Sequence, residues 1–238
     1  MKYIRSILVY LWIGLIIIVG LPYRAYCNHV KKTDAALGYQ KLHKLVRPFC
    51  KVILALGGIK LDVRGKENIT SAGNVLYVGN HQSMLDIAVM LAVSEEPLGF
   101  LAKDNLEKNW LIKTWVASVG SVFIARGETR KALEAIIKSA KIVKSGHHLM
   151  VYPEGTRTKD GTLGEFKAGS LKIAQKGEAA IVPVAVDGDF QAMSPKTIWI
   201  TPTTVKLTFL EVIPVETVKQ TDTKELAKKI KTDIGRCL

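Results

Sequence analysis

A histidine and an aspartate five residues apart close one apolar stretch of the chain. Leu76-Tyr77-Val78-Gly79 runs into Asn80-His81-Gln82-Ser83-Met84-Leu85-Asp86. A carboxylate held against one ring nitrogen of His81 would fix the tautomer and stabilise the imidazolium, leaving the other nitrogen to take a proton. A plainer reading is local: Ser83 suits a helix N-cap, and Asp86, three residues on, suits a capping box. No Gly-x-Ser-x-Gly elbow or plausible reactive cysteine accompanies the pair. A histidine base without a nucleophile of its own points to direct activation of a substrate hydroxyl, in a single displacement.

Four further apolar stretches carry or end on residues of chemical interest. Val151-Tyr152 leads into Pro153-Glu154-Gly155-Thr156-Arg157, where the glycine permits close backbone approach and Thr156 and Arg157 suit a phosphate. Gly120-Ser121-Val122-Phe123-Ile124-Ala125-Arg126-Gly127 delivers a second arginine, whose planar fork fits a phosphate monoester. Ile181-Val182-Pro183-Val184-Ala185-Val186 carries a proline that must interrupt ladder pairing at one point. Lys103 closes Phe100-Leu101-Ala102 and adds a possible positive charge nearby; a solvated lysine is the plainer alternative.

These positions need a scaffold that delivers them to one place. From residue 59 the pattern alternates, with strands expected at 59–64, 75–78, 98–102, 122–124, 148–152, 181–186 and 205–212. Helices are expected at 83–93, 106–118, 128–144, 169–175 and 223–234. Leu133, Ile136, Ile137, Ala140 and Val143 give the clearest helical stripe, with Gly146 as its stop. Alternation of this kind predicts an α/β fold: a mostly parallel mixed sheet flanked by helices, with active-site residues beyond the carboxyl ends of the strands. The expected organisation is an N-terminal helical part, residues 1–58, and an α/β domain, residues 59–238.

The four motifs in this order resemble the glycerolipid acyltransferase family, most closely its 1-acylglycerol-3-phosphate acyltransferases, over about residues 60–215. The family pattern HxxxxD is matched by His81 and Asp86. GxxFIxR is matched by Gly120, Phe123, Ile124 and Arg126. The FPEGTRS-like motif is matched by Pro153, Glu154, Gly155, Thr156 and Arg157, and the apolar stretch around a proline by Pro183. The resemblance implies transfer of an acyl group from acyl-CoA or acyl-acyl carrier protein, as co-substrate, to the sn-2 hydroxyl of a lysophospholipid. No cofactor or metal is expected. His81 would be the base and Asp86 its orienting partner. Arg126, Arg157 and Thr156 would hold the acceptor phosphate, with Lys103 adding charge. Glu154 and Gly155 would shape the loop, with Glu154 fixing it or touching the acceptor. Three positions depart from the pattern: Ala125 replaces a common Asp, Tyr152 a common Phe, and Thr158 a common Ser.

Charge placement bears on the partners. The 238 residues carry a formal net charge of +13, and residues 1–60 hold ten basic residues against one acid. Within that segment Ile7 to Leu21 is an unbroken apolar run flanked by Lys2, Arg5 and Arg24. Fifteen residues reach only about 22 Å as a helix, short of the ~30 Å hydrocarbon core. Such a run suits a retained membrane helix or a signal peptide, although no convincing cleavage site follows it. The next segment, 37–56, interleaves Leu42, Leu45, Val46, Phe49 and Ile53 with Lys41, Lys44, Arg47 and Lys51. That pattern suits an amphipathic helix on anionic lipid, with Tyr39 and Phe49 near the headgroups, or a surface helix packed on the protein's own core, and Pro48 should kink or divide it. The expected location is therefore a membrane, at the cytoplasmic face of the inner or plasma membrane. The three cysteines are sparse and suit reduced thiols. Three other readings stay open on residues alone: an acyltransferase for glycerol-3-phosphate or another lysophospholipid, a thioesterase, and a non-enzymatic basic protein of a membrane surface or nucleic acid. Against nucleic acid, the excess charge lies beside the most apolar run and no RRM, KH or helix-turn-helix signature stands out.

Overall fold

A computed structural model describes residues 1–68, 73–125 and 127–238. The helices are α1 (Lys2–Val19), α2 (Leu21–Val30), α3 (Ala35–Gly57), α4 (Leu85–Val93), α5 (Trp110–Ser118), α6 (Thr129–Lys144), α7 (Lys172–Gly177), α8 (Asp189–Ala192), α9 (Val215–Gln220) and α10 (Thr223–Gly235). The strands are β1 (Ile59–Arg64), β2 (Val75–Gly79), β3 (Leu98–Lys103), β4 (Val122–Ile124), β5 (His148–Val151), β6 (Ala180–Asp187) and β7 (Thr203–Phe209). They form one sheet in the order β1-β7-β6-β2-β5-β3-β4. Every pairing is parallel except β6 with β7, so the expected mostly parallel mixed sheet is what the chain forms.

Alternation along the central strands feeds two apolar layers. Val75 and Tyr77 of β2 enter a core shared with α1, α3 and α4, while Leu76 and Val78 enter one shared with α6, α7 and α10. All five β2 residues are buried, as strands covered on both faces must be. Pro183 lies in β6 where one neighbour loses register. Ile181 pairs with Ile213 and Val184 with Phe209, so three residues oppose two, and Leu210 N–H donates to the Pro183 carbonyl. The missing proline N–H is thereby absorbed by a bulge.

The N-terminal helices differ from expectation in three ways. The apolar run does not stay one helix to Leu21: α1 ends at Val19, Gly20 makes the turn, and Pro22 sits in the first turn of α2. Pro48 does not divide α3, which runs unbroken from the Asp34 cap to Gly58 in the left-handed region at φ 74°. Pro48 and Lys44 are both exposed, so water can satisfy the Lys44 carbonyl that the proline leaves open. The apolar stripe of α3 is turned inward, with Leu42, Val46, Cys50, Ile53 and Leu54 buried in the core. Tyr39 stacks on His147 at 4.1 Å and Phe49 packs on the same core. Lipid contact through that stripe is corrected: it packs against α4 in the core, which removes its apolar side chains from water. Of the exposed large apolar side chains on the N-terminal helices, most belong to α1 instead, among them Ile4, Leu11, Ile18 and Val19.

One helix boundary and one helix face also differ from expectation. The helix expected at 106–118 starts at Trp110, because the Asn109 side chain accepts from the Leu111 and Ile112 amides, and a 3-10 turn precedes it. On α6 the buried face is Ala135, Ile136, Ser139, Ala140 and Val143, leaving Leu133 and Ile137 exposed.

Candidate active site

Strands β6, β2, β5, β3 and β4 are mutually parallel in succession, so their carboxyl ends share one edge of the sheet. That edge receives the loop after β2 with His81, the turn after β5 with Glu154 to Arg157, and Lys103 at the end of β3. Arg126 follows β4 and lies outside the described residues.

The loop after β2 is held by its own polar side chains. Asn80 acts as a surrogate strand residue: its Nδ2 donates to the Val186 carbonyl and its Oδ1 accepts from the Val186 amide, both at 2.8 Å. Gln82 Oε1 accepts from Phe190 N–H, and Ser83 Oγ donates to the Met193 carbonyl at 2.7 Å. All three are buried. These anchors carry no reacting atom; sequence reasoning offered Ser83 only as a helix cap and did not pick out Asn80 or Gln82. The signal was an unbroken polar run, Asn-His-Gln-Ser, directly after a buried strand.

His81 Nδ1 lies 2.6 Å from Asp86 Oδ2, the separation of a strong charge-assisted hydrogen bond. The same oxygen accepts from the Gln82 and Ser83 amides at 2.8 and 3.0 Å. The local and chemical readings of Asp86 are therefore both realised. It ties down the helix entry, and it orients the imidazole so that the basic lone pair sits on Nε2. Asp86 is fully buried while the His81 side chain keeps 17% of its exposure, so the base faces the surface and its partner does not. Burial pushes the Asp86 carboxyl up to about 6, with the neighbouring Asp189 side chain and the Ser83 and Gln82 amides acting to lower it. The Tyr152 ring stacks beneath the imidazole at 4.2 Å and 14°.

The turn after β5 grips the backbone of the same histidine. Glu154 Oε1 accepts from His81 N–H at 2.8 Å, its Oε2 accepts from Gly164 N–H at 3.0 Å, and Thr158 N–H donates to the His81 carbonyl at 2.9 Å. Of the two roles expected of Glu154, fixing the loop is the one its geometry supports, because both oxygens are taken by backbone amides. Burial raises its carboxyl pKa, opposed by those two amides and by His81 and Lys231. Gly155 takes φ 73°, a conformation that glycine adopts without strain. A Cβ there would come within 3.2 Å of Lys167 Nζ, which places a cation beside the turn that the motif reading did not anticipate. The Arg157 guanidinium is half-buried and makes no hydrogen bond or ion pair among the described residues. Thr156 and Lys103 are exposed. The arrangement can remove a proton at the surface beside a group of cations that suits a phosphate. A groove of about 510 Å³ is lined by none of these residues; it runs along α3 past His43, Lys44, Arg47 and Lys51.

Known proteins similar to this chain are acyltransferases. A 1-acyl-sn-glycerol-3-phosphate acyltransferase of Borreliella burgdorferi is 34% identical over 142 residues, 60% of this chain and 57% of that protein. One from Saccharomyces cerevisiae is 30% identical over 197 residues, 82% of this chain and 63% of that protein. The chain thus spans about three-fifths of the length of these curated relatives. The crystal structure of the 1-acyl-sn-glycerophosphate (LPA) acyltransferase PlsC from Thermotoga maritima is similar with a TM-score of 0.81 at 27% identity, covering 100% of this chain and 96% of that one. The acyltransferase family profile matches residues 60–187, which include His81, Asp86 and the Glu154–Arg157 turn. On that match, the chain belongs to the acyltransferase family.

Proposed function

We propose that the chain moves a fatty acyl group from a water-borne thioester, acyl-CoA or acyl-acyl carrier protein, to the sn-2 hydroxyl of 1-acylglycerol-3-phosphate, giving phosphatidic acid. The observation that carries this reading is the 2.6 Å His81–Asp86 pair, opening at the same sheet edge as the Glu154–Arg157 turn. The names of the similar proteins support the acceptor.

His81 Nε2 takes the proton of the sn-2 hydroxyl as its oxygen attacks the thioester carbonyl. Asp86 holds the ring and stabilises the imidazolium that forms. Collapse of the tetrahedral intermediate breaks the carbon–sulfur bond, and the imidazolium returns the proton to the departing thiolate. Arg157, Thr156, Lys103 and Arg126 hold the acceptor phosphate, which fixes the hydroxyl next to the base. Glu154 acts through the backbone of His81.

The acceptor is a lipid, so the site works at a membrane on its cytoplasmic side, where thioesters are supplied. Helix α1 supports this placement: 18 residues with mean hydropathy 1.9, of which 11% are buried. At ~1.5 Å per residue it reaches about 27 Å, comparable to the hydrocarbon core.

The test is thiol release by purified protein with a panel of acceptors, wild type against His81→Ala. Release that depends on 1-acylglycerol-3-phosphate and falls by at least about 10³-fold in the variant is expected. A His81→Ala enzyme with near wild-type turnover would sink the mechanism. Release without any acceptor would mean a thioesterase.

A further inference from the structure

Behind the His81–Asp86 pair lies a second carboxyl group. Asp189 follows β6 directly, after Gly188 at φ 100°, and is fully buried. The pairing of β2 with β6, in which Gly79 faces Val184, and the Asn80–Val186 bonds bring it behind the loop of Asp86. Three buried carboxylate oxygens, Asp86 Oδ1 and both of Asp189, have no conventional partner among the described residues, and neither has the buried Tyr152 hydroxyl near them. Ionised carboxylates are acceptors only, so two of them in contact satisfy nothing and repel each other. One shared proton changes that, because a carboxylic acid donates where a carboxylate accepts. The two side chains are placed to form that hydrogen bond.

We propose that Asp189 is a positioning residue for the acyl transfer, a carboxylic acid at neutral pH that donates its O–H to Asp86 Oδ1 and so aims Oδ2 at His81 Nδ1. The assignment of its effect on rate rests on the acyl-transfer reading above; the shared proton does not. The pair then carries one negative charge, enough to stabilise one imidazolium. Asp86 uses all its accepting capacity: the Gln82 and Ser83 amides and His81 on Oδ2, Asp189 on Oδ1. The other groups facing the pair are Glu154, whose charge opposes ionisation of Asp86, and the buried Tyr152 hydroxyl, which lies within electrostatic reach of both aspartates. With carboxylate charges around it, a second ionisation at Asp189 is disfavoured by burial first and by Asp86 next.

Asp189→Asn keeps a donor and the same net charge, whereas Asp189→Ala removes the donor. Infrared difference spectra of wild type against Asp189→Asn at neutral pH, in H2O and D2O, should show a carboxylic-acid C=O band that shifts in D2O and is missing from the variant. This readout needs no substrate. In the kinetic arm, Asp189→Asn should keep kcat within about threefold and leave the acidic limb of the kcat/KM profile in place. Asp189→Ala should lower kcat by about tenfold or more at unchanged acceptor KM. Absence of the band overturns the proposal. So does a shift of the acidic limb in Asp189→Asn by about one pH unit, since that reports a lost charge beside His81. Should Asp189→Ala fail to fold, the infrared comparison and the Asp189→Asn profile decide. A band without any acyl transfer by wild type would leave the shared proton standing and remove both the functional reading and the rate role.

Discussion

Glu154→Gln separates the two roles that the Glu154 carboxylate was expected to fill. In the structure it accepts two backbone amides, His81 at 2.8 Å and Gly164 at 3.0 Å, at 7% exposure. Glutamine offers one oxygen and one NH2, so in either orientation one amide meets a donor. A hydrogen bond to a charged group contributes roughly 1.5–3 kcal/mol, and losing one here corresponds to roughly 10- to 150-fold in kcat if it appears as misalignment of His81. The effect on stability is smaller than the lost bond. Burial already holds the Glu154 carboxyl above its ordinary pKa, so the neutral amide relieves a desolvation penalty. A drop in melting temperature of about 4 °C or less is expected, as about 1 kcal/mol gives in a chain of this size. The assay is thiol release at varied acceptor, with melting followed by circular dichroism. A fall in kcat at unchanged acceptor KM is expected. A tenfold rise in KM at unchanged kcat would place the carboxylate on the acceptor and refute the reasoning.

Two further expectations follow from single side chains. Arg157→Ala should raise the acceptor KM by about tenfold or more, because an unpartnered guanidinium loses a charged bond to phosphate; an unchanged KM would remove it from that role. His147 is pushed down to about 4 by burial, so the folded protein keeps it neutral while the unfolded chain protonates it near 6.5. Stability is complete above that unfolded value and is lost as pH falls towards 4, by about 3 kcal/mol in all. His147→Gln should flatten the loss of melting temperature between pH 7 and 5, and an identical slope in the variant would contradict the assignment.

The motif residues were legible because each ends a buried strand, and burial followed by a polar cluster is a one-dimensional signal. His81, Asp86 and the Glu154–Arg157 turn needed no knowledge of strand order. Asp189 did: only the adjacency of β2 and β6 makes it a neighbour of Asp86, and the residues between them in sequence carry no trace of that pairing. Tyr152 read as a mild variant of a phenylalanine, because the aspartates around its hydroxyl are distant in the chain. The face of α3 was misassigned for a related reason. Apolar residues at helical spacing define a buried stripe, but they do not say whether lipid or α4 covers it. The reversal at β7 was equally hidden, since an amphipathic strand reads the same in either direction.

The place of β7 in the sheet has a consequence for biosynthesis. Its strand lies between β1 and β6, so β1 has no partner until the chain has been made to residue 203 and beyond. Two of the contacts that seat α1 wait equally long. Ser6 Oγ accepts from the Ile200 amide, 194 residues downstream, and the Tyr10 hydroxyl donates to the Ile198 carbonyl, 188 residues downstream. Throughout that interval α1 can pack on α3, where Trp12 donates to the Phe49 carbonyl and Arg5 to the Leu56 carbonyl, but it lacks its anchors beyond β6. Long-range closure of this kind is slow and exposes apolar surface to misassembly. A bilayer reached during translation would shelter α1 until residues 198–209 arrive to close the sheet and dock the helix in one step.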